Sequence, residues 1–347
     1  MTLKARDENL PAAYSDSLER LAVAPLWTAL HALLPGERES RVVAHRWRWA
    51  ELRGPLLEAA RLVPMEQAER RVLVLRNPGL GGAYGATATL FAGLQIILPG
   101  EAAPSHHHTP AALRLIVEGR GAFTTVEGVR CDMEPGDLII TPPMCWHDHG
   151  HEGSEPVIWL DGLDIPMVRA FEAAWASKMR PAEPPAIGHD SSQDELTAAG
   201  LVPRDSRYPD TGYPQVRWPW RTVRAALARM AESAPLDSRV SLRYVNPTTG
   251  RPPLPTMGCE AHWVRPGERT RATRRTTSAV YHAIEGRGES RVGDAVLTWE
   301  AGDCFVAPPW QWIEHRNGTG APACLFHFDD EPAVRALGLW REEISAR

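Results

Sequence analysis

The chain has 347 residues, 43% apolar and 23% charged, with a net charge of −5 and a pI near 6.2. That length suits two domains of ordinary size, and the apolar content is enough to build real cores, which excludes a disordered chain. The acidic balance lacks the basic footprint of a nucleic-acid binder, and no apolar run approaches the roughly 18 residues of a membrane span.

In chain order, the N-terminus MTLKARDENLPAAYSDSLERL is polar and lacks the apolar stretch of a secretion signal. Residues 15–34 and 56–71 carry helical periodicity. Residues 94–98 and 113–117 are short apolar runs bounded by turn residues, and 123–126 and 138–140 continue that pattern. Strand, glycine-rich turn and strand at intervals of about 8–12 residues read as a sandwich or barrel. The 31 prolines and 28 glycines fit many tight turns, and the 13 tryptophans fit aromatic packing in β-sandwiches and at subunit interfaces. Residues 167–178 and 222–232 read as helices, and 181–219, rich in Pro, Gly, Ser and Asp, as a connection. Cys131, Cys145, Cys259, Cys304 and Cys324 are an odd, scattered set without a C-x-x-C pair, as expected of reduced thiols in a cytoplasmic protein.

An internal repeat sets the architecture. Pro99-Gly100-Glu101 returns as Pro266-Gly267-Glu268, and Glu118-Gly119-Arg120-Gly121 as Glu285-Gly286-Arg287-Gly288, both at an offset of 167. Gly136-Asp137, Pro142-Pro143 and Trp146 return as Gly302-Asp303, Pro308-Pro309 and Trp312 at an offset of 166. Two copies of one all-β domain are expected. The division read from the chain is a helical segment over 1–71, a first copy over 72–166, a helical and proline-rich connection over 167–235, and a second copy over 236–347.

Six of the 13 histidines lie within 46 residues: His106, His107, His108, His147, His149 and His151. Strand alternation projects His106 and His108 together and turns His107 away. His147, on a later strand, is expected to meet them across the barrel. Three imidazoles on one side of a metal leave the other positions open, and neutral imidazole suits Fe, Zn, Cu or Ni. An isolated H-x-H would be equally at home on a solvent-facing strand end. The corresponding positions of the second copy are Thr273, Arg275 and Ile313, so that copy is expected to be metal-free and structural.

The spacing Gly100-x5-His106-x-His108 followed by Gly119, and Gly136-x5-Pro142 followed by Trp146-His147, resembles the two cupin motifs. The glutamate ligand that cupins carry after the second histidine is missing, its place taken by Ala112 and Leu113. Ser105-His106-His107-His108-Thr109, Trp146-His147-Asp148-His149-Gly150 and Trp159-Leu160-Asp161-Gly162-Leu163-Asp164 resemble the bicupin ring-cleaving dioxygenases, the gentisate and salicylate 1,2-dioxygenase family, over most of the chain. The chain departs from that family at His107, where Arg is frequent, and near His151, where cupins often carry Asn.

The resemblance implies two jelly-roll β-barrels, Fe(II) on His106, His108 and His147, a homo-oligomer that is often a tetramer, and cleavage by O2 between the carboxyl- and hydroxyl-bearing carbons of a 2-hydroxybenzoate. Gentisate is the first expectation. Salicylate, 5-nitro- or 5-halosalicylate and 1-hydroxy-2-naphthoate are the alternatives. Around the metal, Arg114 is expected to pair with the substrate carboxylate. His149 is expected to act as acid or base, and Gln95 to donate to substrate oxygens. Asp161 is expected to orient an imidazole or Arg114. Gly93, on the face of Gln95, would leave room beside the ring. Arg70 and Arg76 are equally placed as further carboxylate clamps. The rival readings are a decarboxylase or sugar isomerase, which would need the missing glutamate, and a non-enzymatic ligand-binding bicupin.

Overall fold

The computed structural model describes residues 10–178, 188–189, 215–235 and 239–346. The residues up to Arg41 form a unit separate from Val42–Arg347. In that unit the expected helical stretch is three short pieces, Ala12–Arg20, a 3-10 turn at Leu26–Thr28 and Leu30–Leu33. Pro25 falls between the first two; it has no N–H to donate and keeps its predecessor out of the helical region.

The described residues from Val42 onward build the repeat as two eight-stranded jelly rolls. The first consists of β1 (Phe91–Ile97), β2 (Ala102–His108), β3 (Ala112–Glu118), β4 (Ala122–Val126), β5 (Val129–Asp132), β6 (Leu138–Thr141), β7 (His147–His151) and β8 (Val157–Leu163). The second consists of β9 (Gly258–Val264), β10 (Thr273–Arg275), β11 (Ala279–Glu285), β12 (Arg287–Val292), β13 (Ala295–Glu300), β14 (Cys304–Ala307), β15 (Ile313–Arg316) and β16 (Ala323–Asp329). Strand order is 6-3-8-1 and 5-4-7-2 in the first, and 14-11-16-9 and 13-12-15-10 in the second. Even the irregularity repeats: β8 slips against β3 between Ile158 and Trp159, and β16 against β11 between Ala283 and Glu285.

Alternation explains why the larger sheets read as nearly unbroken apolar runs. Leu94, Ile96, Leu113, Leu115, Ile158 and Leu160 pack in one core with Val280, Phe326 and Phe328 of the second jelly roll. Their neighbours Ile97, Ile116, Val157 and Trp159 face the interior of the first. A sheet buried on both faces has no polar side to show in its sequence. The flanking segments complete the sheets crosswise. His45–Trp47 pairs with β14 of the second jelly roll, and Arg217–Trp218 with β6 of the first.

Two helices differ from the sequence reading. The stretch expected as one helix over 56–71 is the end of Trp49–Leu62, a single turn at Met65–Ala68 and the start of the strand Arg71–Val74. The Trp49–Leu62 helix begins seven residues early because Trp49 docks on the repeated Gly-Asp pair. Its N–H donates to Asp303 Oδ1 at 2.8 Å, and Gly302, at φ +95, has the indole where a Cβ would be. Trp220 docks on Gly136-Asp137 in the same way, and opens the expected helix as Trp220–Ser233. The stretch 167–178 is mostly not helical. Helix ends with Ile165–Ala170, and Ala176–Ser177 pairs with His107 and His108. Most of 181–219 lies outside the described residues. Among the described residues no helix is long and apolar enough to cross a membrane, and the five cysteines are buried.

Candidate metal centre

Strand β2 presents His106 and His108, and β7 presents His147. His106 and His147 are direct cross-strand partners, so the three imidazoles meet side by side in one sheet and not across the barrel. Ring centroids are 4.1 Å apart for His106 and His147, 4.9 Å for His108 and His147 and 5.3 Å for His106 and His108. One nitrogen from each ring lies within 4.8 Å of the others. His107 faces the other way and stacks on Trp146 at 3.9 Å.

Backbone carbonyls set the tautomers of two of these rings. His147 Nδ1 donates to the Cys145 carbonyl at 3.0 Å, and His108 Nδ1 to that of Pro110 at 2.7 Å. Each ring therefore keeps a bare Nε2, and that of His147 is buried without a partner. Burial, then Arg70 for His106, holds His106 at about 3; burial holds His108 at about 4 and His147 well below the usual range. Neutral imidazoles with free lone pairs are the form that binds a transition metal. The donor set fits one, and without a thiolate or carboxylate it is all nitrogen.

Beyond the imidazoles, polar side chains stand among the apolar ones of the interior. Gln95 on β1, Arg114 on β3, His149 on β7 and Asp161 on β8 are each 5% exposed or less. Arg114 and Asp161 are cross-strand partners with 3.6 Å between Nε and Oδ1. Arg114 Nη1 also donates to Thr141 Oγ1 at 2.5 Å, a contact with no signal in the sequence. Asp161 accepts from Trp159 Nε1 at 3.0 Å, so it holds Arg114 and an indole and not an imidazole. Burial raises Asp161 to about 6 against the pull of Arg114. His149 lies 6.0 Å from His147 between ring centroids, and burial, then Arg114, holds it neutral. Both its nitrogens and Gln95 Nε2 lack hydrogen-bond partners, and Arg114 Nε has only its ion-pair contact with Asp161. Buried polar groups are normally satisfied, so such a concentration marks a place that a polar ligand completes.

The structure separates the two arginines that the sequence left equal. Arg70 Nη2 reaches His106 Nδ1 at 2.6 Å. Arg76 turns to the Gly82 carbonyl and the Tyr84 ring. The space beside Gly93 is taken: a Cβ there would lie 2.5 Å from Val72 Cγ1 and 3.2 Å from the Phe91 ring. His151 fastens a turn, bonded to the Glu155 carbonyl and the Gly153 N–H. Thr273, Arg275 and Ile313 replace the three histidines in the second jelly roll. It buries His262, His315 and His327, contributed by other positions.

Two jelly rolls in tandem, with three neutral imidazoles converging in the first, define a bicupin with a candidate metal centre. The cupin domain family matches residues 93–163 and 263–329. A gentisate 1,2-dioxygenase of Ralstonia sp is 41% identical over 96% of this chain and 95% of its own length. A 5-aminosalicylate 1,2-dioxygenase of Comamonas sp is 36% identical over 96% and 90%. The crystal structure of salicylate 1,2-dioxygenase from Pseudaminobacter salicylatoxidans superposes with a TM-score of 0.89 at 33% identity, covering 97% of this chain and 99% of that one. That protein has also been solved as adducts with gentisate. The chain belongs to the gentisate 1,2-dioxygenase family of bicupin ring-cleaving dioxygenases.

Proposed function

We propose that this chain is an Fe(II)-dependent dioxygenase that adds O2 across the bond between the carboxyl- and hydroxyl-bearing ring carbons of a 2-hydroxybenzoate, gentisate foremost. The observation that carries this reading is the pairing of a three-imidazole centre with a buried guanidinium, Arg114, in one jelly roll. Iron held by His106, His108 and His147 would supply coordination positions for the carboxylate and hydroxyl oxygens of the substrate and for dioxygen.

The remaining roles fall to the chain itself. Arg114, ion-paired with Asp161 through Nε, offers its guanidinium to the carboxylate, and Arg70 stands beside the imidazoles as a second cation. Asp161 keeps Arg114 in place from the neighbouring strand. His149, neutral and without partners, can take the proton of the ring hydroxyl at a bare nitrogen. Gln95 Nε2 is a free donor for a substrate oxygen. The burial of Gln95, Arg114, His149 and Asp161 would hold the reacting ring away from bulk water. A homo-oligomer, a tetramer by resemblance, and a cytoplasmic location belong to the same proposal; the odd, scattered set of five buried cysteines supports the location.

The test is oxygen consumption by the Fe(II)-loaded protein with gentisate, salicylate and 1-hydroxy-2-naphthoate. One O2 per gentisate, with slower salicylate, is expected. Consumption with salicylate alone would move the substrate assignment, and none with any hydroxybenzoate would overturn it in favour of a ligand-binding bicupin.

A further inference from the structure

The second jelly roll carries a polar chamber of its own, and strand register shows where it sits. In the first, Asp161 pairs with Gly93 on one side and Arg114 on the other. In the second, His327 pairs with Glu260 and Tyr281. The repeat offsets make His262 the counterpart of Gln95 and His315 that of His149. The second copy has thus lost the metal-ligand positions while filling the positions around the substrate pocket with other polar side chains. Arg239, His262, Tyr281 and His315 line a cavity of about 220 Å³ there, beside apolar Val264 and Ile313.

Its hydrogen bonds set the chemistry the cavity presents. The Asp329 carboxylate accepts from His327 Nε2 at 3.1 Å, and His327 Nδ1 shares a hydrogen bond with His262 Nε2 at 2.6 Å, which leaves His262 one ring nitrogen for a ligand. Ser290 Oγ takes the Trp299 indole N–H at 2.8 Å and donates to His315 Nδ1 at 2.7 Å, so His315 Nε2 keeps its hydrogen and is a donor. Glu260, His262 and His327 could in principle hold a cation. Their ligand atoms are already engaged: the two rings on each other, and the carboxylate among Arg239, Arg243 and Arg275 at 3.2–3.7 Å. Of the other charged lining, Glu268, Arg269 and Glu342 are paired with Arg265, Glu314 and Arg275. A ligand meets the Arg239 guanidinium beside its Glu260 contact, a donor N–H of His315, a ring nitrogen of His262 and the Tyr281 phenol.

We propose that the second jelly roll is a metal-free binding site for a small hydroxy acid, with Arg239 and His315 taking its carboxylate and His262 and Tyr281 its hydroxyl. The cavity has room for one ring or a short chain. The site is independent of the reading of the first jelly roll.

Salicylate is the probe, titrated by calorimetry into the Fe(II)-loaded protein without oxygen. Two molecules per chain are expected. Arg239→Gln, whose neighbour Glu260 keeps two arginines, should weaken one of them at least ~10-fold, since a charge-assisted bond is lost. Tyr281→Phe should weaken the same one, and benzoate, without a hydroxyl, should bind there less well than salicylate. Thermal melting confirms that both variants fold. Arg114→Ala should weaken only the other molecule. If the Arg114-sensitive molecule is absent and the Arg239-sensitive one present, the proposed function fails and this site stands. A single molecule per chain, indifferent to Arg239→Gln and Tyr281→Phe in folded variants, overturns the proposal. So does a second Zn2+ per chain that is lost in Glu260→Gln, which would assign the chamber to a cation.

Discussion

Replacing Arg114 by alanine tests the centre most directly, because the substitution has two separable consequences. The first is on the ligand. A buried cation facing a carboxylate is worth roughly 2–5 kcal/mol when one partner is truncated, which is about 30-fold or more in affinity. The second is on Asp161, left buried without its cation. At 3.6 Å and an effective dielectric of about 20, the pull of Arg114 on that carboxylate is roughly 4–5 kcal/mol. Burial already lifts Asp161 to about 6 against this pull. With the pull removed, its pKa rises further and it takes a proton at neutral pH, which limits the stability cost. The folded state then binds a proton that the unfolded state releases. The variant should accordingly lose stability as pH rises above the usual carboxylate range, by a larger amount than the wild type. The assay is anaerobic titration with salicylate beside metal analysis and melting curves across pH. Iron retained with weakened binding is expected, and Arg114→Ala/Asp161→Ala should bind like the single variant, since a protonated Asp161 repels nothing. Unchanged affinity would place Arg114 outside the pocket. Affinity restored in the double variant would mean that Asp161 stays charged, and the pKa argument would be wrong.

Other variants test the remaining assignments. His106→Ala, His108→Ala or His147→Ala should lose metal and oxygen consumption together while His107→Ala keeps both, because His107 faces Trp146; metal loss from the His107 variant would refute the facing. Gly93→Ala should collide with Val72 and Phe91 and lower the melting temperature while iron and the turnover profile across 5-substituted salicylates are retained; a changed profile at unchanged stability would place Gly93 beside the substrate ring. His282 is buried, and desolvation alone lowers it to about 4. The unfolded chain therefore binds one more proton than the folded one between about pH 6.5 and 4, so stability is lost as pH falls through that window. The drop is about 3 kcal/mol at 1.36 kcal/mol per unit. In His282→Asn that part of the acid loss should vanish from urea unfolding, and equal slopes in both proteins would contradict it.

Much of the centre was legible in the chain. The repeat fixed the count of jelly rolls, and alternation separated His106 and His108 from His107, since both depend only on local spacing. The second chamber was hidden for a physical reason. Comparing the copies at the three histidine positions finds Thr273, Arg275 and Ile313, and nothing local says that Glu260, His262, Tyr281, His315 and His327 converge. They lie on four strands that are brought together only by pairing over long sequence separations.

By itself, then, the sequence determined what short-range geometry determines: strand period, turn chemistry, the duplicated domain and the shared face of an H-x-H pair. Tertiary structure alone decided that His147 stands beside His106 and not opposite it, and that Arg70 and not Arg76 reaches the imidazoles. It also decided where the two tryptophan-led helices begin. Helix propensity near Trp49 is weak and Pro55 interrupts it, yet the Asp303 carboxylate of the distant repeat takes the first N–H and Gly302 makes room for the indole. Such contacts join residues some 250 positions apart, where periodicity carries no information and only the packed fold supplies the partner.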